Sequence, residues 1–451
     1  MDVQVQRTLV MPPPAAPSAE VPLTVFDLAA PTYHVTVLFA FSPPNPTNQA
    51  LLDALAATLP RFPLLTAARL DRGGPGAARP CHVTGEGGAG ALVVEAEVPS
   101  SALSDHLPLA PSPGLALLHP KVTRGAERHV LMLQINRFAC GGIVLASSAH
   151  HQAADGHSMT TFLHAWADAV RGDDIGRALV PYGPAALVPR RPPRCEFEHR
   201  AAEFLPLSSS HAAAREDKPP AETDDHHVDH SEISNTLLHY TSEFVAELKR
   251  RAHGRYTTFE TVSAHVWRKI TIARGLGVAD DGATRTSIRV AVNGRGRLAG
   301  TGTLPAEGFF GNVVLTATSG ARAADLASGT LADAAALVRA GIRAVDGRYF
   351  QSFVDFGALH GGGDEELEPA CADEAGVLSP DVEADSWLHL DLHRLDFGCG
   401  GRLVGFLPGK VPQDGVVVLM PSLRKGGGVD VFVALWEKHA RELSAIAYTM
   451  D

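Results

Sequence analysis

His151 stands four residues ahead of Asp155, with a second histidine beside it, in the run Ser148-Ala149-His150-His151-Gln152-Ala153-Ala154-Asp155-Gly156. An imidazole is largely neutral near pH 7, and a neutral imidazole with an acid close by can act as a general base. Gly156 lets the backbone turn sharply at the end of the run. A His-x-x-x-Asp pair alone is common and decides nothing. His150, His151, Asp155 and His157 could also suggest a metal site, but the chain has no convincing second ligand cluster and no paired-cysteine spacing. The fuller pattern His-His-x-x-x-Asp-Gly, set between a strand and a helix, is more specific.

The elements that must position these residues are legible on both sides. Ile143 to Ser148 is an apolar, strand-like run, and Cys140-Gly141-Gly142 joins it to a second strand over 129–138, making an antiparallel hairpin. Met159, Phe162, Leu163, Trp166 and Val170 recur at helical spacing, so an amphipathic helix follows over about 158–171. Earlier, residues 3–10 alternate as an edge strand, His34 to Phe41 reads as a buried strand, and Asn48 to Leu59 as a helix stopped by Pro60. In the second half, strands are expected over 235–240, 287–292, 313–316, 387–392, 403–407, 416–420 and 429–435. Helices are expected after Ser242 as cap, from the capping box Thr257 to Glu260, over 331–345 and over 436–447. Residues 180–230 are rich in proline, histidine and charge, including Asp224-Asp225-His226-His227-Val228-Asp229-His230, and read as a solvated crossover. This is an α+β chain of two lobes with mixed sheets: 1–180, a crossover linker over 181–230, and 231–451.

Composition bounds the function. The chain has 451 residues, enough for two cores, with 45% hydrophobic and 20% charged residues. A net charge of −11 argues against a nucleic-acid partner. Five cysteines without metal or redox spacing, and a start without a secretory pattern, point to the cytoplasm. No apolar run approaches the roughly 20 residues that span a membrane.

At this point the motifs resemble those of a known family. His150 to Gly156 resembles the HHxxxDG motif of plant BAHD acyltransferases, and Asp396-Phe397-Gly398-Cys399-Gly400 resembles their second signature, DFGWG, with cysteine in place of tryptophan. Phe309-Phe310-Gly311-Asn312 is similar to the YFGN element, and Asn293-Gly294-Arg295-Gly296-Arg297 to the D/N-x-R-x-R element. Arg137 to Gly141, Asp385-Ser386-Trp387 and the closing Tyr448-Thr449-Met450-Asp451 resemble the monocot branch that acylates amines.

The resemblance implies two chloramphenicol-acetyltransferase-like lobes with a channel between them. It implies a monomer with no resident cofactor or metal, taking acyl-CoA as co-substrate and a small amine as acceptor. It implies His151 as general base, and Asp155 as a catalytic-motif residue that points away to pair with an arginine. Asp396 and Gly398 are implied as a distal structural signature, with Arg295 or Arg297 as the partner of Asp396. Since the tryptophan that Cys399 replaces is not catalytic in the family pattern, activity should be retained.

The acceptor side is read from Val382 to Trp387. In strand geometry Glu383, Asp385 and Trp387 share a face, giving two carboxylates for an ammonium and a ring for a cation–π contact. Tyr33 and His34 sit where the family's first long strand begins and are expected to join this wall. For CoA, the expected residues are Thr257, Thr258, Gly311 and Asn312, since hydroxyls and N–H groups at a helix N-terminus suit a pyrophosphate. The leading expectation is N-acylation by hydroxycinnamoyl- or benzoyl-CoA of agmatine, putrescine or tryptamine. An O-acyltransferase, a non-catalytic accessory protein of the same fold and a metal-dependent hydrolase are the competing readings.

Overall fold

A computed structural model of the chain describes residues 1–70, 80–121, 126–200, 202–204, 232–277, 283–305, 308–360, 370 and 378–450. Two six-stranded mixed sheets organise it. The first runs in the order Gln4–Met11, Ala91–Val98, Leu131–Phe138, Ile143–His150, His34–Phe41, Leu403–Pro408. The second runs Val314–Arg322, Arg285–Asn293, Val382–Ser386, Val416–Pro421, Val429–Trp436, Ile233–Tyr240. A small three-stranded sheet, Ala19–Pro22, Cys81–Thr84 and Ala68–Leu70, flanks the first. The last strand of the first sheet comes from the second half of the chain, so the two halves share a sheet.

Ile143–His150 is buried at all eight positions, which is why it reads as a run rather than an alternation: it has a strand on each side. The helix Gly156–Arg171 begins directly after the motif and buries Phe162, Leu163 and Trp166. The Trp166 indole donates to the Leu51 carbonyl at 2.9 Å, tying this helix to the helix Asn48–Thr58. In the second half, the helix Thr258–Ala273 is buried nearly all round, opened by the capping box of Thr257 and Glu260.

Several expectations change. The strand placed at 387–392 is instead Val382–Ser386, parallel to both of its neighbours. The Leu388, Leu390, Leu392 alternation lies in a turn and a short 3-10 helix, with Asp391 left-handed at φ +53. The cap of the helix Ser242–Arg251 is Thr241, whose hydroxyl accepts from the Phe244 N–H, not Ser242. The strand Ala91–Val98 and the helix Gly347–His360 were not expected at all. The start of the crossover is docked rather than solvated. Val188 bonds the Thr303 carbonyl, Arg190 pairs with the buried Asp355 at 2.6 Å, and the buried His199 bridges Glu203 and Ser352. The cluster Asp224 to His230 lies outside the described residues. Among the described residues, no helix is long and apolar enough to cross a membrane.

Candidate active site

The strand Ile143–His150 delivers the two histidines, and they part at its end. His150 turns into the protein: its Nε2 donates to the Thr32 carbonyl at 2.9 Å and its Nδ1 accepts from the Gln152 N–H at 3.3 Å. Burial, with Arg69, His34 and His82 near, pushes its pKa down to about 2, so it is a neutral structural ring. His151 turns the other way, and its side chain lines a cavity of about 350 Å³ between the lobes. That is a size suited to a small-molecule site. The backbone holds it on both sides: its N–H donates to the Tyr33 carbonyl at 3.0 Å, and its carbonyl accepts from the Asn312 amide at 2.8 Å. Burial lowers the His151 pKa, partly opposed by the charge of Asp155 and by Asn312, which keeps the ring neutral at neutral pH.

Asp155 points away from His151. It caps the helix Gly156–Arg171 by accepting from the Ser158 N–H at 2.9 Å, and it accepts from Arg295 at 2.7 Å and from the Val313 N–H at 3.0 Å. It is buried; the burial penalty is outweighed by the Arg295 guanidinium and the bonds it accepts, and its pKa falls below the usual carboxylate range. Arg295 also donates to Ser158 Oγ at 3.0 Å and the Gly311 carbonyl at 2.9 Å, so one side chain joins three segments beneath the histidine loop.

The second signature lies elsewhere. Asp396 is exposed, accepts from the Gly398 N–H at 2.8 Å and offers its main-chain carbonyl to Arg171. Neither expected arginine partners it: Arg295 is engaged by Asp155, and Arg297 donates to the Ile342 carbonyl at 2.8 Å. The reason is topological, since the D/N-x-R-x-R turn follows the strand Arg285–Asn293 and faces the motif loop across the interface. Phe397 anchors the signature by packing edge-on against Trp166 and Phe41. Gly398, Cys399 and Gly400 are all left-handed, at φ +79, +59 and +87, and the Cys399 side chain is exposed.

The acid pair faces the cavity. Glu383 and Asp385 project from one face of Val382–Ser386, while Val382 and Ala384 enter the core of the second lobe. Burial raises the pKa of Glu383, against the pull of Arg289, and burial together with the charge of Glu383 pushes Asp385 up to about 7. Tyr33, His34 and Trp387 line the same cavity. His34 is anchored by a 2.8 Å bond to the His129 carbonyl.

Thr257, Thr258, Gly311 and Asn312, expected to meet CoA, do not line this cavity. The Thr257 hydroxyl and N–H are both taken by the Glu260 capping box. Gly311 is bonded to Ser158 and Arg295, and the Asn312 amide spans Asp27, at 2.8 Å, and the His151 carbonyl. Gly311 and Asn312 therefore support the histidine loop from behind. The sequence reading also missed wall residues whose neighbours come from distant segments: Ser147, His119, Lys410 and Gln413. Within the wall, His151 Nδ1, His119 Nε2, Ser147 Oγ and Ser386 Oγ are buried with no hydrogen-bond partner among the described residues.

Comparison with known proteins places this geometry. A model of the Transferase family matches residues 2–450. The chain is 38% identical to agmatine hydroxycinnamoyltransferase 1 of Oryza sativa subsp. japonica, over 94% of this chain and 92% of that one. It is 36% identical to tryptamine benzoyltransferase 1 of the same organism, over 99% and 96%. In fold it is similar to F. sporotrichioides TRI101 complexed with coenzyme A and T-2, with a TM-score of 0.70 at 16% identity, covering 95% of this chain and 97% of that one. The two shared-sheet lobes are thus of the chloramphenicol-acetyltransferase type. With the family matched from end to end and relatives of this identity over nearly all of its length, the chain belongs to the Transferase family, the BAHD acyltransferases.

Proposed function

We propose that the chain transfers an aromatic acyl group, hydroxycinnamoyl or benzoyl, from acyl-CoA to an amine such as agmatine, putrescine or tryptamine, giving an amide and free CoA. The observation that carries this reading is one cavity holding both His151 and two desolvated carboxylates. Arg289 stands beside Glu383, but an alcohol acceptor would leave Asp385 without a counter-charge, whereas an ammonium supplies one.

In this reading Glu383 and Asp385 draw the cationic acceptor in, and Trp387, Tyr33 and His34 shape the wall around it. An ammonium cannot attack, so one proton passes to solvent water before the chemical step, leaving His151 neutral. The neutral His151 takes the second proton as nitrogen attacks the thioester carbonyl, then returns it to the departing CoA sulfur. No covalent enzyme intermediate is required. Asp155 is a positioning residue that works through Arg295 and the loop. The test is to supply benzoyl-, cinnamoyl- and 4-coumaroyl-CoA with a panel of amines and alcohols and identify products by mass. Amides support the reading; esters alone would move it to O-acylation, and CoA release without an acceptor would indicate thioester hydrolysis.

A further inference from the structure

Ser147 is 4% exposed, its hydroxyl is buried on the cavity wall, and it has no hydrogen-bond partner among the described residues. Its neighbour Ser148, on the opposite face, is satisfied by Thr36 Oγ1 at 2.9 Å. Its in-register neighbours in the sheet are apolar, with Leu133 on one side. It pairs across the sheet with Val37, and Val37 pairs in turn with Pro408. Ala149, opposite Val35, is the next residue on that face toward His151. A lone hydroxyl in such a wall is costly unless something bonds it.

Resting on the acyl-transfer reading above, we infer that Ser147 is a donor-specificity residue that hydrogen-bonds the phenolic hydroxyl of a 4-hydroxycinnamoyl group. The distance fits. At about 3.3 Å per residue, Ser147 stands roughly 10–13 Å along the chain from His151. On ordinary bond lengths a 4-hydroxycinnamoyl group reaches about 8 Å from carbonyl carbon to phenolic oxygen. With its carbonyl beside the His151 imidazole, the ring lies over Ala149 and Val35 and its hydroxyl arrives at Ser147. A benzoyl ring, lacking the two-carbon spacer, ends about 2.5 Å nearer His151. The other unpartnered wall groups fit this role less well. Ser386 adjoins Asp385 and the acceptor carboxylates, and His119 already uses its Nδ1 on the Pro120 carbonyl.

The experiment compares kcat/KM for 4-coumaroyl-CoA and cinnamoyl-CoA with one amine, in the wild type and in Ser147→Ala. The expected wild-type preference for the hydroxylated donor is about ten- to a hundredfold, the worth of one buried hydrogen bond. That preference should collapse toward unity in Ser147→Ala and persist in Ser147→Thr, which keeps the hydroxyl. A wild-type ratio near one overturns the assignment without any variant, as does a ratio unchanged in a folded Ser147→Ala. If no donor gives an amide, the acyl-transfer reading fails, and equilibrium binding of the two thioesters still decides on Ser147: equal affinities overturn it.

Discussion

Replacing Asp385 by asparagine should stabilise the free protein while harming its use of amines. Asp385 sits on the cavity wall beside Glu383, and its pKa rises from 3.8 to about 7 on folding. Between those values the folded chain holds the proton more tightly than the unfolded chain, so stability falls as pH rises through the window. The opposing free energy is near zero well below pH 3.8, grows through pH 5 and reaches on the order of a few kcal/mol above pH 7, part of it the mutual repulsion with Glu383. Asparagine never ionises and removes that term. Thermal unfolding of wild type and Asp385→Asn from pH 4 to pH 8 should show a gain for the variant of several degrees at pH 8, less than half of that at pH 5, and none near pH 4. In the same variant, kcat/KM for a cationic amine should fall about ten- to a hundredfold, the loss of one charge-assisted hydrogen bond. A variant no more stable than wild type at pH 8 would show that the carboxylate is not desolvated. A stabilised variant with unchanged amine kinetics would refute the acceptor role while leaving the electrostatics intact.

Other outcomes follow from the same geometry. His151→Ala should abolish turnover with the fold retained by circular dichroism; in the wild type at saturating amine, the acid limb of kcat should lie below pH 6.5, because burial lowers the His151 pKa, whereas kcat/KM for a cationic amine should already fall below about pH 7 as Asp385 protonates in the free enzyme. Arg295→Ala should cost about 3–5 kcal/mol in denaturant unfolding at pH 7, since it strands the buried Asp155, and should lower kcat more than tenfold. Because Arg295 holds the Asp155 pKa down, that penalty should shrink as pH falls through and below 3.8. Cys399→Gly should raise stability by up to about 1 kcal/mol with kcat unchanged, since the residue is exposed and left-handed; a large loss of activity would mean that the side chain matters to the site.

What could be read from the chain alone is whatever is local. The motif run declared its turn, the alternation Glu383-x-Asp385 declared a shared face, and His34 to Phe41 declared its strand to the residue. The spacing of Phe162, Leu163 and Trp166 declared the helix behind the motif because a 3.6-residue period survives without neighbours. Four features were beyond that reach. Val382–Ser386 is a strand because it is held between two parallel partners, while the better-looking alternation Leu388, Leu390, Leu392 has no strand partner among the described residues. The partner of Asp155 could be named only as an arginine: Arg295, Arg297 and Asp396 are all plausible charges in one dimension, and only the packing of the lobes brings Arg295 across 140 residues to Asp155. Gly311 and Asn312 carry the residue types of a ligand-binding turn, but their N–H groups are engaged by Ser158, Asp27 and the His151 carbonyl. Ser147 carried no signal at all in the sequence, since a serine in a buried strand differs from its neighbour Ser148 only in which one finds a partner. Local propensity and spacing determine the elements and which side chains share a face; whether a given polar group is satisfied, and by what, is a property of long-range contacts that only the folded chain possesses.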